Sequence, residues 1–286
     1  MKVDIVLITY NQEQYVAQAI EGILLQHLPT DLEARLIVAD DASTDRTLEI
    51  IHSYEEQSPF HFIYLPLEPH FGHVGNYRRA FNACDGDYAC VLEGDDYWSS
   101  PFHIEKHVRF LESHSECSMS VNKITFLFQE NNKFVERENL KEGEFCYVTA
   151  TDHILQNRID NHSSCCYRIS LLHKIPCEIM TDIFSDWTLG IYMAENGYIA
   201  QLEDSTSVYR IHRGGIWSGD TLKNQYFQIM KEIDTADRLF EYRYHKEMEQ
   251  FRQLVKIRTS SNSRRMVLGK RIKKKLKSIF HLLGSL

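Results

Sequence analysis

Three carboxylates stand within four positions in Glu93-Gly94-Asp95-Asp96, after the apolar run Tyr88-Ala89-Cys90-Val91-Leu92 and before Tyr97-Trp98. Like charges this close resist ionising together unless a cation neutralises them, so packing alone gives no reason to gather them. Hard oxygen ligands at the carboxyl end of a buried strand suit Mg²⁺ or Mn²⁺, ions that commonly bridge to a diphosphate. The plainer reading is a solvated acidic turn. The elements around the cluster weigh against it.

Val3 to Ile8 is an apolar, β-rich run of the kind buried on both faces of a parallel sheet, and it stops at Thr9-Tyr10-Asn11. Asn11 and Gln14 have capping-box spacing ahead of a helix with Val16, Ile20, Ile23 and Leu24 on one face. A second strand, Arg35 to Ala39, ends at Asp40-Asp41-Ala42-Ser43-Thr44-Asp45, with a helix from about Arg46 to Tyr54. A third strand covers His61 to Leu65, a third helix Asn76 to Ala83, and the carboxylate-tipped run is the fourth strand. Ser100-Pro101 opens another helix. This alternation predicts an α/β fold, a doubly wound and mostly parallel sheet, whose ligands bind outside the carboxyl ends of the strands. Polar groups from three strand ends should therefore converge on one crevice. No Gly-x-Gly-x-x-Gly follows the first strand and no Gly-x-x-x-x-Gly-Lys-Ser/Thr occurs, which argues against dinucleotide and P-loop sites.

Further on, Met119 to Phe128 and Lys133 to Val148 read as strands around a turn at Asn131-Asn132. Thr151 to Gln156 reads as a short helix, Ser163 to Arg168 as a strand, and Asp186 to Asn196 as a helix stopped by Gly197. From Leu222 the apolar residues fall at 222, 226, 229, 233, 236 and 240, the seam of a long helix that either covers the domain or pairs with a second copy.

The chain closely resembles a family 2 glycosyltransferase with the GT-A fold. The residues that carry the resemblance are Ile8-Thr9-Tyr10-Asn11, Val38 to Asp45, Gly72 to Ala80, Leu92 to Trp98, Asp186 heading a helix, and His212-Arg213-Gly214-Gly215. It implies a nucleotide diphosphate sugar as donor, most often a UDP-sugar, and Mn²⁺ or Mg²⁺ as cofactor. Thr9 and Tyr10 would meet ribose and base with Asn11 beside them, and Asp41 would accept from the base. Asp96 would hold the cation, with Asp95 at the ribose and metal and His212 as a further metal ligand. Glu93 departs from the Asp that many relatives carry, and its reach to metal or ribose is less defined. Arg79 and Arg213 would contact the donor, with the Gly pair as a hinge. Asp186 would be the base that deprotonates an acceptor hydroxyl, preferred on the resemblance over Asp182 four residues earlier; capping its own helix is the alternative role. Transfer with inversion to a saccharide or lipid-linked glycan, in cell-surface polysaccharide synthesis, is likewise an implication of the resemblance.

These readings divide the chain into a GT-A domain (1–218, with a nucleotide-sugar-binding half 1–100 and an acceptor and catalytic half 101–218), a helical segment (219–262) and a basic amphipathic tail (263–286). The net charge is −8, yet no Asp or Glu occurs from residue 250 onward, and Arg264 to Lys277 holds eight Lys or Arg. Val267, Leu268, Ile272, Leu276, Ile279, Phe280 and Leu283 make one apolar stripe beside them, the pattern of an interfacial anchor on an anionic membrane surface. The acidic body disfavours nucleic acid as a partner. Seven scattered cysteines without a Cys-x-x-Cys pair, and no leader-like amino terminus, point to a cytoplasmic protein peripheral to the inner face of the membrane. A homodimer through residues 222–255 is the further partner expected. The alternative functions are a sugar-nucleotide nucleotidyltransferase, which would want a Gly-rich phosphate loop after strand one, and a non-catalytic nucleotide-sugar-binding scaffold.

Overall fold

The computed structural model describes residues 1–137 and 145–267, with side chains through residue 259. The amino-terminal half runs β1 (Lys2–Thr9), α1 (Val16–Leu24), β2 (Glu33–Asp40), α2 (Thr47–Ser53), β3 (His61–Tyr64), α3 (Gly72–Ala83) and β4 (Tyr88–Glu93). All neighbouring pairs here are parallel: β3 on β2, β2 on β1, β1 on β4. The strands are mostly apolar because both faces are covered, with Asp4 of β1 buried against Arg35 of β2. Val3, Ile5 and Leu7 enter one core with Val16, Ile20 and Ile104, while Val6 and Ile8 enter the other with Tyr77 and Phe81.

The second half continues with β5 (Tyr97–Trp98), α4 (His103–Ser113), β6 (Cys117–Phe128), β7 (Lys133–Glu136), β8 (Phe145–Val148), α5 (Ala150–Leu155), β9 (Cys165–Arg168), α6 (Ile169–Leu172), α7 (Asp186–Glu195), β10 (Tyr198–Ile211), α8 (Leu222–Leu239) and α9 (His245–Val267). The sheet order is β3-β2-β1-β4-β9-β6-β10-β5, with β7 on β6 and β8 on β10. Here the sheet becomes mixed: β9 is antiparallel to both β4 and β6, whereas β6 and β10 are parallel. The mostly parallel α/β architecture with helices at the carboxyl end agrees with the sequence expectation.

Three local expectations need correction. Lys133 to Val148 is not one strand, since β7 pairs with β6 and β8 with β10. Asn11 does not cap α1: its Oδ1 accepts instead from the Thr44 N–H at 2.8 Å, in a left-handed turn at φ 51°. The seam over 222–255 belongs to two helices, reversed at Glu241 and Tyr242, both left-handed. Ile229, Ile233, Ala236 and Phe240 bury in the domain's own core with Met248, Phe251 and Val255, so these positions of the seam are occupied within the chain. Among the described residues no helix is long and apolar enough to cross a membrane. The basic stripe from 268 to 286 lies outside the described residues. No disulfide joins the cysteines among the described residues.

Candidate active site

The carboxyl ends of β1, β2 and β4 open on a cavity of about 840 Å³, in the size range of small-molecule sites. On one side the loops after β1 and β2 are laced together. Asp40, fully buried, accepts from the Thr9 hydroxyl at 2.9 Å, the Ser43 hydroxyl at 2.6 Å and the Ser43 N–H at 2.8 Å. Thr9, which lines the cavity, donates its hydroxyl hydrogen bond to Asp40 and so shapes the loop. Asp41 lines the cavity; its Oδ1 accepts from the Phe71 N–H at 2.7 Å, and Oδ2 stands 3.1 Å from His70 Nδ1. Tyr10, half exposed, lies against the His70 ring at 4.9 Å, and Asn11 completes this wall. Arg79 does not reach the cavity. Its guanidinium donates to Asn76 Oδ1 and the carbonyls of Pro66 and Asp40, and sits over the Phe71 ring, so it holds loops together.

After β4 the chain turns sharply, with the Asp96 N–H donating to the Glu93 carbonyl at 2.9 Å. Gly94 is required at this turn, since a Cβ there would stand 2.6 Å from Thr9 Cγ2 and 2.5 Å from Gln12 Oε1. The turn sends the two aspartates in different directions. Asp95 lines the cavity, and its Oδ2 is 3.0 Å from His212 Nε2 at the end of β10. Asp96 is completely buried. Its Oδ1 accepts from the Arg210 N–H at 2.8 Å, and its Oδ2 from Asn161 and Ser163, each at 2.6 Å. The expectation that Asp96 holds a cation is therefore corrected: both its oxygens are occupied by the protein, and it joins three segments from within. Burial and the adjacent Asp95 and Glu93 charges push its pKa well up. Glu93 lines the cavity with Oε1 accepting from the Tyr77 hydroxyl at 2.8 Å, and burial followed by the Asp95 charge raises it too.

Asp95 and His212 are the pair able to hold a cation. Among the described residues no group of three or more His, Cys, Asp or Glu gathers as a closed metal site. One carboxylate and one imidazole, partly open to the cavity, would suit a Mg²⁺ or Mn²⁺ that takes its remaining ligands from outside the protein, as Mg²⁺ commonly does. Arg213 stands at the rim, its side chain 90% exposed and its Nε donating to Glu130 at 2.6 Å.

Across the cavity, Asp186 begins α7. The cap of this helix is Ser185, whose hydroxyl accepts from the Thr188 N–H, so Asp186 is not needed for capping. Asn157 donates to Asp186 Oδ2 at 2.7 Å, and burial outweighs that bond to push Asp186 up to about 6. Asp182 is exposed, paired with Lys231 and away from the cavity. Sequence reasoning missed Asn157, Asn161, Ser163, Arg210 and, on α8, Glu232. The polar run Asn161 to Ser164 ahead of β9 was the available signal for two of them. Asn161 Oδ1 and His162 Nε2 are buried without a protein partner among the described residues, and both residues line the cavity.

A family model described as glycosyl transferase family 2 matches residues 4–174, which span β1 to α6 and carry the strand ends just described. The chain belongs to glycosyl transferase family 2. An uncharacterized protein of Mycobacterium tuberculosis is 33% identical to this family 2 chain over 74% of its length and 60% of the relative's. The chain thus spans about 60% of the curated relatives it first matches. Among solved structures, Staphylococcus aureus TarS in complex with UDP-GlcNAc matches 82% of this chain and 66% of that one, with TM-score 0.61 and 19% identity. A mannosyltransferase of Pyrobaculum calidifontis, in complex with GDP-Man and Mn²⁺, matches 82% and 64%, with TM-score 0.60 and 16% identity. At these identities the two likenesses establish the fold.

Proposed function

We propose that this family 2 chain transfers a sugar from a nucleotide diphosphate sugar, a UDP-sugar, to a hydroxyl of a saccharide or lipid-linked glycan. The observation that carries the reading is one cavity with Tyr10 and Asp41 on one wall, Asp95 and His212 at the strand ends, and Asp186 opposite. Tyr10 flanks the base and Asp41 accepts from it, while Asn11 fixes the loop between them. Glu93, held by Tyr77, faces the ribose side. Asp95 and His212 would hold Mn²⁺ or Mg²⁺, which when bound supplies Lewis-acid neutralisation of the diphosphate. Arg213 adds positive charge at the rim, and Gly214-Gly215 give its loop freedom to close.

Asp186 takes the proton of the acceptor hydroxyl as the new C–O bond forms at the anomeric carbon and the C–O bond to the diphosphate breaks, releasing the nucleoside diphosphate. A carboxyl raised to about 6 is still ionised at neutral pH and is a stronger base than an ordinary aspartate. Inversion follows the family resemblance. Against the nucleotidyltransferase alternative stands the loop after β1, Tyr10 to Tyr15, which contains no glycine. A role in cell-surface polysaccharide synthesis, at the inner face of the membrane through the basic tail, completes the proposal. UDP release from a panel of UDP-sugars, with and without Mn²⁺, tests the chemistry. Release that no sugar and no metal stimulates would sink it.

A further inference from the structure

Beside Asp186, the wall that α7 begins is continued by α8 and α9. Gln228 and Glu232, four residues apart on one face of α8, line it beside Ile229, Trp187 and Phe251. Glu232 is anchored: its Oε1 accepts from the Thr188 hydroxyl at 2.7 Å and from the Ser185 hydroxyl, the cap of the helix that Asp186 begins. Its Oε2 has no partner among the described residues. A fixed carboxylate with one free oxygen, next to the proposed base and against an apolar wall of stacked rings (Trp187 and Phe251, 5.2 Å between centroids), has the makings of a hydroxyl-binding subsite.

Charge narrows the ligand. The arginines lining the cavity are Arg210 and Arg213. Arg210 is tied to the Asp95 carbonyl and Gln129, and Arg213 to Glu130, all on the metal side. The α8 side presents carboxylates without a lining cation, so an anionic acceptor unit would meet only repulsion there.

Resting on the transferase reading above, the geometry points to Glu232 as an acceptor-binding residue that, with Gln228, receives a hydroxyl of an uncharged saccharide beside the hydroxyl Asp186 deprotonates. The carboxylate accepts from the sugar hydroxyl through Oε2 while Oε1 keeps its place on α7. Trp187, Phe251 and Ile229 face the apolar side of the ring.

The test uses the full chain with UDP and Mn²⁺, titrated calorimetrically with p-nitrophenyl hexopyranosides and with p-nitrophenyl glucuronide. UDP should bind wild type, Glu232→Gln, Gln228→Ala and the surface control Lys231→Ala alike. Neutral glycosides should bind the wild-type and Lys231→Ala complexes, about tenfold more weakly Glu232→Gln, and more weakly Gln228→Ala; glucuronide should not bind. In transfer assays the two cavity variants should raise acceptor KM with kcat little changed, whereas a merely structural role would lower kcat and UDP affinity together. Absence of UDP binding in wild type would overturn the transferase reading itself. UDP binding without neutral-glycoside binding, equal glycoside affinity in both cavity variants, or preference for glucuronide would overturn the subsite alone.

Discussion

On the wall built by β1 and β2, the carboxylates are enclosed by donors. Asp40 receives two hydroxyls and an N–H. Asp45, although burial raises it, is held below the ordinary range by the Thr47 hydroxyl and the N–H groups of Glu13 and Thr47. On the wall built by α7 and α8, Asp186 has one donor from Asn157, Glu232 has two hydroxyls on a single oxygen, and burial pushes them to about 6 and about 7. The first wall is a fixed anionic frame whose shape is set before any ligand arrives. The second keeps its carboxyls near the point of proton exchange. Binding asks for the former and proton transfer for the latter.

The contrast breaks most visibly at Asp186. Asp186→Asn should leave UDP and Mn²⁺ affinity intact in calorimetry and lower kcat at least about a hundredfold, the lower range for a general base. A variant that still transfers at the wild-type rate would put the base elsewhere on that wall.

Asp95 and Asp96, adjacent in sequence but facing different partners, sharpen the comparison. Asp96→Ala strands the Arg210 N–H, Asn161 and Ser163, and at roughly 1–3 kcal/mol per buried unsatisfied group it should cost about 3 kcal/mol in denaturant unfolding. Asp95→Ala removes a cavity-facing group and should keep stability while losing Mn²⁺-dependent UDP affinity by about tenfold or more. Equal loss of UDP affinity with unchanged stability in both would show that Asp96 reaches the ligand.

Gly190→Ala tests how tightly α7 is held against α5. A Cβ there would stand 2.2 Å from His153 Nε2 and 2.6 Å from Ile159 Cδ1, so overpacking should cost about 1–3 kcal/mol in thermal unfolding. A Tm equal to wild type would show that this wall yields.

The smallest effect is in pH. Asp186 acts only when ionised, so kcat should fall about tenfold per unit below about pH 6. For stability the sign is opposite. Asp186 and Glu232 have folded values raised above their ordinary ones, so their contribution is full below about pH 4 and is lost as pH rises through about 6 and about 7. Tm should therefore decline from pH 5 to 8, and Glu232→Gln should shrink that decline. An unchanged slope in the variant would remove Glu232 from the titrating set.

The amino-terminal half was legible because its strands are largely apolar runs ending in polar residues, alternating with short helices along the chain. β10 was not legible as a strand, since bulges between Leu202 and Ser207 break its alternation. The order of Asp95 and Asp96 was not legible either. It depends on a turn at Gly94 and on partners more than sixty residues away, Asn161, Ser163 and Arg210. Glu232 was invisible for a different reason. Beside the buried Ile229 and Ile233 it has the position of an ordinary solvated helix residue, and only the fold of α8 over the cavity turns it inward.

Arg210 has a consequence for how this protein could be altered. Its N–H meets Asp96, its Nε the Asp95 carbonyl, and its terminal nitrogens Gln129 and Gln18, with the guanidinium over the Tyr15 and Tyr97 rings. Beyond this post and His212, the exposed rim loop is the segment that can be grafted. Residues added between Arg213 and Asp220 would enlarge the rim and leave His212 where it stands. One residue added between Ser207 and Arg210, where β10 runs in unbroken register with β6, would turn Arg210 to the other face and carry His212 away from Asp95. Two insertions a few positions apart would thus have unlike fates, the one a new specificity and the other a dismantled site.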